Sequence, residues 1–502
     1  MTTNHDRPPS EGAASTHQAT ARGGSRLGLL VLVLGAFVTV FDTFVVNVAI
    51  PSIRAAFAAD FAGIGFVVAA YELGFGGFLM VAGRLGDAYG HRRMFTLGIA
   101  AFAATSALCG LAPTLAVLIV GRFLQGISAA VFFPQVYALI RATYDDNGRN
   151  RAFALLGMAL GFAAIAGQVF GGFLVDFDLF GLGWRTIFLV NLPLGVAVIL
   201  ASGSLPRSRA RVAVHMDWPG ALAGTAALTL MLATLLEGPS AGWPAWTGMT
   251  LAAGCALFTG LLWWERRVAG CGGQPLLDLG LFRQRHFRLG VMVVLMVYAT
   301  ATAFFLGFAV FVQSGLGLSP FQAGCTLAPA SVGFIGASLM APRLVRRFGS
   351  RVLAVGACGY AAGMALLLLT ANAVPPALGA MTYIPSLVVL GIGQGLAMTP
   401  LLNFVLGAVE GSKAGMAAGV VSTVQKVGGA FGVAIAGVFL GPLMHESAGK
   451  IDVANLVAAH VETFSGVMLA TMVLALVASF LVAQAARPRP TVAARETVGE
   501  TP

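Results

Sequence analysis

The sequence predicts an all-α integral membrane protein with fourteen transmembrane helices. Of its 502 residues, 58% are hydrophobic and only 10% are charged, and the mean hydropathy is +0.86. Ordinary soluble proteins carry roughly 25% charged residues. The apolar residues fall into blocks of about 20, the length that a helix needs to cross a bilayer. This composition excludes a soluble enzyme.

The apolar blocks define the predicted helices in order. The first block is too long for a signal-peptide core and has no small-residue cleavage pattern after it, so we expect it to be retained. Residues 1–26 and 485–502 are polar and are predicted to be disordered tails. The predicted spans are 27–50, 62–81, 94–112, 114–140, 152–175, 186–205, 219–236, 248–264, 289–313, 322–340, 352–370, 377–406, 415–440 and 464–484.

The loops between these blocks alternate in charge. If both termini are cytoplasmic, all but five of the 30 basic residues fall in cytoplasmic segments, as expected for loops on that side. The five are Arg122 and Lys426 within spans, and Arg54, Arg185 and Lys450 on the outer side. This alternation indicates an even number of spans with both termini in the cytoplasm. We expect the membrane to be the plasma membrane. The basic residues form no patch, so no nucleic-acid partner is expected. The excess of Arg over Lys indicates a bacterial source.

An internal repeat divides the chain. Residues 83–92 read GRLGDAYGHR and residues 342–351 read PRLVRRFGSR. Gln125-Gly126 in the fourth span has a counterpart in Gln394-Gly395 in the twelfth. The repeat predicts two pseudo-symmetric six-helix bundles, 27–205 and 289–484, joined by residues 206–288 with two inserted helices. Such duplication is typical of alternating-access transporters. Chance similarity among Gly-rich helices is the alternative.

Four charged residues lie inside the apolar spans: Asp42, Glu72, Arg122 and Lys426. Helical rise places them at similar depth, where each needs a partner or a watery cavity. We expect Asp42 or Glu72 to carry a proton, because burial favours the neutral acid and Arg122 favours the ionised one. A static ion pair that holds helices together is the alternative. Lys426 either snorkels, neutralises an acid or attracts an anion.

Four motifs in order carry a family resemblance. They are FDTFVVNVAIP (41–51), GRLGDAYGHRR (83–93), GRFLQGISAAVFFP (121–134) and WRTIFLVNLPLG (184–195). With fourteen spans, the chain resembles the fourteen-helix drug:proton antiporter family of the major facilitator superfamily. The resemblance implies the major facilitator fold, proton coupling through Arg122, and export of hydrophobic or amphipathic drugs, antibiotics or secondary metabolites. A proton-coupled importer of a small metabolite on the same fold is the alternative.

The loop after the second span is predicted to form a cytoplasmic latch. Its glycines permit close helix approach and a tight turn, while its carboxylate can accept from N–H groups at a helix start or pair with an arginine. A solvated loop whose arginines only set the topology is the alternative. In the second copy, Arg346 takes the place of the carboxylate. The latch residues are Gly83, Asp87, Gly90, Arg92 and Arg93.

Polar residues within the spans are candidate substrate contacts. In the fifth span, Gly167-Gln168 stands where the resembled family has Gly-Pro, so a kink is lost and an amide is offered to the cavity instead. Each polar side chain has the alternative of bonding a neighbouring helix. The candidates are Asn47, Gln125, Gln168, Gln313, Gln394, Asn403, Gln425 and Lys426.

Catalytic chemistry is not indicated. The sequence has no GxxxxGK[ST] phosphate loop and no HExxH pattern, and its seven histidines are expected in tails or loops. The five cysteines form no CxxC pair. We therefore predict a transporter without cofactor or metal. It is expected to be monomeric, and its partners are a small hydrophobic substrate, protons and the lipid bilayer.

Overall fold

The structure, a computed structural model, describes residues 26–206, 217–271, 278–373, 380–407, 409–410, 414–446 and 453–485. Within these residues, fourteen helices are long and apolar enough to cross a membrane. The two predicted tails lie almost wholly outside the described residues. The helices are α1 (Arg26–Phe57), α2 (Phe61–Tyr89), α3 (His91–Gly110), α4 (Leu115–Thr143), α5 (Asp146–Asp176), α6 (Gly183–Ser204), α7 (Trp218–Ala241), α8 (Ala245–Gly270), α9 (Arg285–Gly315), α10 (Pro320–Phe348), α11 (Arg351–Ala373), α12 (Ala380–Leu406), α13 (Ala414–Glu446) and α14 (Val453–Ala485).

Helices are the expected solution because a backbone in lipid must satisfy its hydrogen bonds within its own segment. Polar side chains begin several of them. Asp60 caps α2 by accepting from the Gly63 N–H at 2.9 Å, and Thr114 caps α4. Ser319 begins α10 in a capping box with Gln322. These three helices therefore start at positions that the local sequence specifies.

Two six-helix bundles repeat the same pairings. In the first bundle α2 packs on α4, α3 on α4 and α1 on α5, and in the second α10 packs on α12, α11 on α12 and α9 on α13. Two further pairs join the bundles: α2 with α13, and α5 with α10. These two joints are themselves related by the repeat. The pseudo-symmetric arrangement predicted from the sequence is confirmed.

Close glycine contacts give the register of the repeat. A β-carbon at Gly167 of α5 would lie 2.8 Å from the Phe44 β-carbon of α1. The equivalent contact in the second bundle is made by Gly432 of α13 against Thr302 of α9, at 2.9 Å. These contacts fix which residues of the two bundles correspond.

The same contacts correct one predicted equivalence. Gly126 of α4 lies against the Tyr71 carbonyl, and its counterpart, Gly391 of α12, lies against the Ala330 carbonyl. The sequence match of Gln125-Gly126 with Gln394-Gly395 is therefore wrong by one helical turn. Glycines recur along both helices, so the motif alone aligned the wrong pair.

The two inserted helices lie beside one joint. Helix α7 packs against both α2 and α13, and α8 packs on α7. A β-carbon at Gly65 of α2 would lie 2.9 Å from Leu236 of α7. The inserted pair therefore flanks the α2–α13 joint.

The bundles are joined at one end and separate at the other. We call the end where α1 begins the basic end, since Arg26, Arg92, Arg285 and Arg351 lie there, and the opposite end the distal end. Near the distal end one apolar core includes buried residues of both bundles and of α7. Near the basic end each bundle has its own core, and Met80 of α2 packs against the second. The bundles are therefore packed together at the distal end and have separate cores at the basic end, and we call the boundary between them the crevice.

Polar bonds reinforce the distal junction. The Asp176 carboxylate at the end of α5 accepts from the Ser319 hydroxyl at 2.6 Å and from the Phe321 N–H at 3.0 Å, both at the start of α10. The Gln313 amide of α9 donates to the Val48 carbonyl of α1 at 3.0 Å. An anion at a helix N-terminus also interacts favourably with the helix dipole. The distal junction is therefore both apolar and charge-assisted.

Some sequence predictions differ from the structure. The last span begins at Val453 rather than at residue 464, and α9 ends in a π-helical turn, Phe311–Gly315, that no pattern predicted. His460 was expected in a loop but lies buried in α14. A β-carbon at Gly315 of α9 would lie 2.9 Å from the His460 β-carbon. Polar residues near a span end shortened the predicted block.

Candidate functional site

A buried ion pair joins α1 to α4. The Arg122 guanidinium (Nη1) lies 2.6 Å from the Asp42 carboxylate (Oδ2), and the two residues are 1% and 0% exposed. Arg122 also donates through Nε to the Val67 carbonyl of α2 at 3.3 Å. Its guanidinium carbon lies 4.4 Å from the centre of the Tyr71 ring. Both charges are thus compensated inside the first bundle, away from lipid.

Two amides complete the contacts of the Asp42 carboxylate. Oδ1 accepts from the Gln125 side chain at 3.0 Å and from the Asn191 side chain at 2.9 Å. The Gln125 oxygen accepts in turn from Arg122 at 2.7 Å. With Arg122, the carboxylate therefore has three donors, from α4 and α6. Hydrogen bonds to a charged group are stronger than those between neutral groups.

Ser106 of α3 holds the two amides in place. Its hydroxyl accepts from Gln125 at 3.1 Å and from Asn191 at 3.0 Å, and it donates to the Phe188 carbonyl at 3.0 Å. The network therefore spans α1, α3, α4 and α6. In this arrangement the –NH₂ group of each amide points at the Asp42 carboxylate.

A second ion pair crosses the α2–α13 joint. The Lys426 ammonium lies 3.2 Å from the Glu72 carboxylate, and the two side chains are 24% and 7% exposed. The ammonium also lies 4.5 Å from the centre of the Phe75 ring and 5.8 Å from that of Tyr71. Tyr71 therefore contacts a cation of each pair. Of the alternatives for Lys426, the structure shows neutralisation of an acid.

The other predicted cavity residues divide by place. Gln168 is buried, and its oxygen accepts from the Ser331 hydroxyl at 3.3 Å across the α5–α10 joint. Gln313 bonds across the distal junction, as described above. Asn47 and Gln394 are buried, whereas Gln425 is half-buried. Asn403 is exposed in the last turn of α12, at the basic end, so it does not lie at the depth of the ion pairs.

The predicted latch is a compact turn within the first bundle. Gly90 has φ +94°, which favours glycine, and it links α2 directly to α3. Asp87 is exposed and lies 3.5 Å from the His91 ring. The other ring nitrogen, Nδ1, lies 2.8 Å from the Gln135 side chain of α4. Gly86 lies directly against this contact. The loop is thus fixed to α4 of its own bundle.

One expectation for the latch needs correction. Gly83 was expected to permit close helix approach, but a β-carbon there would meet nothing within 4 Å. Arg92 donates to the Leu205 carbonyl at the end of α6 at 3.1 Å, and Arg93 is exposed. A glycine in a motif permits close contact with another helix. Whether another helix lies there depends on how the helices pack.

Sequence reasoning missed four residues of the site and the turn. Asn191 and Ser106 hold the carboxylate network, Tyr71 links the two ion pairs, and Gln135 fixes the latch turn. Asn191 had a usable signal, since it is an amide within an apolar span and inside a quoted motif. Ser106 and Tyr71 had none, because single hydroxyl residues are common in membrane helices.

The chain is similar to known proteins over most of its length. The family model described as Major Facilitator Superfamily matches residues 32–433. The "Probable actinorhodin transporter" of Streptomyces coelicolor is 37% identical over 451 residues, which are 89% of this chain and 78% of that protein. The "Puromycin resistance protein pur8" of Streptomyces alboniger is 34% identical over 81% of this chain and 80% of its own length. "Multidrug resistance protein Stp" of Mycobacterium tuberculosis is 33% identical over 82% and 76%.

Solved structures share the fold. A bacterial homolog of the human lysosomal transporter Spinster, in an inward-facing and unoccupied conformation, superposes with a TM-score of 0.63 and 17% identity. The match covers 92% of this chain and 98% of that one. The xylose transporter XylE of E. coli, in a partially occluded inward-open conformation, superposes with a TM-score of 0.61 and 16% identity over 92% and 99%.

Proposed function

Since this chain belongs to the Major Facilitator Superfamily, we propose that it is a secondary transporter that exports hydrophobic or amphipathic compounds, driven by proton entry. The relatives named for actinorhodin, puromycin resistance and multidrug resistance support the direction and the class of substrate. Two repeated bundles around one crevice are the architecture of alternating access. The buried Asp42–Arg122 pair is the observation on which proton coupling rests.

The basic end is the cytoplasmic end in this proposal. Arginines cluster at that end in both bundles, and short cytoplasmic loops are enriched in Arg and Lys. With this orientation, the shared core lies on the outer side and the separate cores lie on the cytoplasmic side, which supports a state open to the cytoplasm. That is the state in which an exporter accepts its substrate from inside the cell.

Asp42 is the proposed proton carrier. Protonation removes the charge that Arg122 and two amides hold, so the α1–α4 contact weakens. Helix α1 also carries Val48 and Phe44, which contact Gln313 and Phe305 of the second bundle in the distal junction. A proton on Asp42 is therefore linked through one helix to the junction that must open.

The test is transport in everted membrane vesicles with an imposed pH gradient, over a panel of hydrophobic and amphipathic compounds. Asp42→Asn keeps the shape and removes the exchangeable proton, so gradient-driven export should fall at least about tenfold, because no group at this position can then carry the proton. Glu462→Gln, which alters an exposed carboxylate of α14, is the matched control. Full gradient-driven export by Asp42→Asn would refute the assignment.

Glu72 provides the comparison within the site. The Glu72 carboxylate is held by Lys426, whose side chain is 24% exposed, rather than by three enclosed donors. We therefore assign Glu72 a different role from that of Asp42. Glu72→Gln should retain proton-driven export of a neutral compound. If Glu72→Gln abolishes export and Asp42→Asn does not, the two assignments are reversed.

A further inference from the structure

The surroundings of the Lys426 ammonium have the composition of a cation site. One carboxylate oxygen of Glu72 lies 3.2 Å from it, and the faces of Phe75 and Tyr71 lie 4.5 Å and 5.8 Å away. A carboxylate with aromatic faces is the arrangement by which proteins bind organic ammonium ions. Lys426 therefore holds the place that an organic ammonium group would take between this carboxylate and these rings, which we call the cage.

The occupant is tethered but reachable. The Lys426 side chain is 24% exposed, whereas that of Glu72 is 7% exposed, so the lysine covers the carboxylate. Both lie at the α2–α13 joint beside the crevice. If Lys426 were absent, Glu72 would be a poorly solvated carboxylate without its cation, which is costly unless another cation or a proton replaces it.

The ion pair is not required to pack the two bundles together. At the equivalent α5–α10 joint, Gly161 stands in the place of Lys426, Ser331 in that of Glu72 and Ile335 in that of Gly76. A β-carbon at Gly161 would lie 2.9 Å from Ile335, and one at Gly76 would lie 2.8 Å from the Lys426 β-carbon. Both joints make the same close contact between a glycine and a larger side chain. One does so without any charge, so the ion pair has another role.

We infer that Lys426 is a built-in cation that fills an organic-cation site formed by Glu72, Phe75 and Tyr71, and that it thereby restricts the transporter to neutral and anionic substrates. Removing the lysine charge vacates the cage for a lipophilic cation. The substrate-class statement rests on the proposed function, whereas the cage itself does not.

The decisive experiment is binding of tetraphenylphosphonium to the purified full-length protein in lipid nanodiscs. Lys426→Gln should bind this cation about tenfold or more tightly than the unaltered protein, as expected for a vacated aromatic and carboxylate cage. Triphenylphosphine oxide, a neutral compound of similar shape, should bind both proteins equally. Lys426→Arg keeps a cation in place and should leave tetraphenylphosphonium binding unchanged.

Two further variants test the inference. Glu72→Gln combined with Lys426→Gln should lose the gain, and Lys426→Met replaces Lys426→Gln if the latter does not fold, as judged by gel filtration and thermal melting. Equal tetraphenylphosphonium affinity in folded Lys426→Gln and unaltered protein would overturn the inference. A gain that persists in the double variant would overturn it too, since the crevice rather than Glu72 would then bind the cation.

A transport arm separates this inference from the proposed function. Cells that express Lys426→Gln should become more resistant to tetraphenylphosphonium than cells with the unaltered protein. Gained binding without gained resistance would support the cage and count against proton-driven export. Gained resistance without gained binding would overturn the cage.

Discussion

At the scale of single residues, the central feature is the enclosure of the Asp42 carboxylate. Arg122, Gln125 and Asn191 each direct a donor at it, and Ser106 orients both amides. Hydrogen bonds to a charged group contribute about 1.5–3 kcal/mol each. The neighbours of Asp42 therefore control how firmly its carboxylate is held.

Asn191→Ala tests this control without touching either charge. Losing one of three donors weakens the network around the carboxylate by about 1.5 kcal/mol, so gradient-driven export should fall about tenfold. The measurement is the initial rate of gradient-driven export in everted vesicles. Asn372→Ala, an exposed amide of α11 that bonds Ser465, is the control and should export at the unaltered rate. An unchanged rate in Asn191→Ala would mean that the amide only packs.

At the scale of helices, the two joints between the bundles differ although their geometry is repeated. Gly324 of α10 packs on the backbone of Gln168 in α5, and a β-carbon at Gly65 of α2 would lie 3.3 Å from Val433 in α13. The α5–α10 joint adds the Asp176 carboxylate at the start of α10, and the α2–α13 joint adds the Glu72–Lys426 pair. Each joint has a different charged bond at a different depth.

Asp176→Asn is expected to loosen the distal junction. The amide loses the charge that favours the N-terminus of α10, and an effect of about 1.4 kcal/mol shifts a two-state equilibrium tenfold. Hydrogen–deuterium exchange should rise in peptides from the end of α5 and the start of α10. Asp178→Asn is the control, because Asp178 accepts from the Gly183 N–H within its own bundle. Equal exchange in Asp176→Asn and the unaltered protein would show that the apolar core alone closes this end.

At the scale of the whole molecule, the distribution of apolar cores decides at which end the two bundles separate. One core links both bundles near the distal end, while separate cores lie near the basic end. Packed cores switch between discrete arrangements rather than deforming continuously. Transport therefore requires the distal core to divide and the basic ends to meet.

The orientation of the molecule can be tested directly. If the basic end is cytoplasmic, an epitope tag at either terminus should be accessible to antibody in everted vesicles and inaccessible in intact cells. The reason is that the clustered arginines keep that end on the cytoplasmic side. A tag added in the distal loop between α5 and α6 should show the opposite pattern and serves as the control. A terminal tag accessible in intact cells would contradict the proposed orientation and the open state assigned from it.

The sequence by itself determined the number of helices and the repeat, because a bilayer imposes a length on every apolar block and each block can be counted separately. It also identified Asp42, Glu72, Arg122 and Lys426, since a charge inside a span is conspicuous by its cost. Which acid pairs with which base was decided only by tertiary structure. Asp42 meets Arg122 from a helix three spans away, and Glu72 meets Lys426 from the other bundle. Those contacts depend on how whole helices pack, which no local pattern encodes.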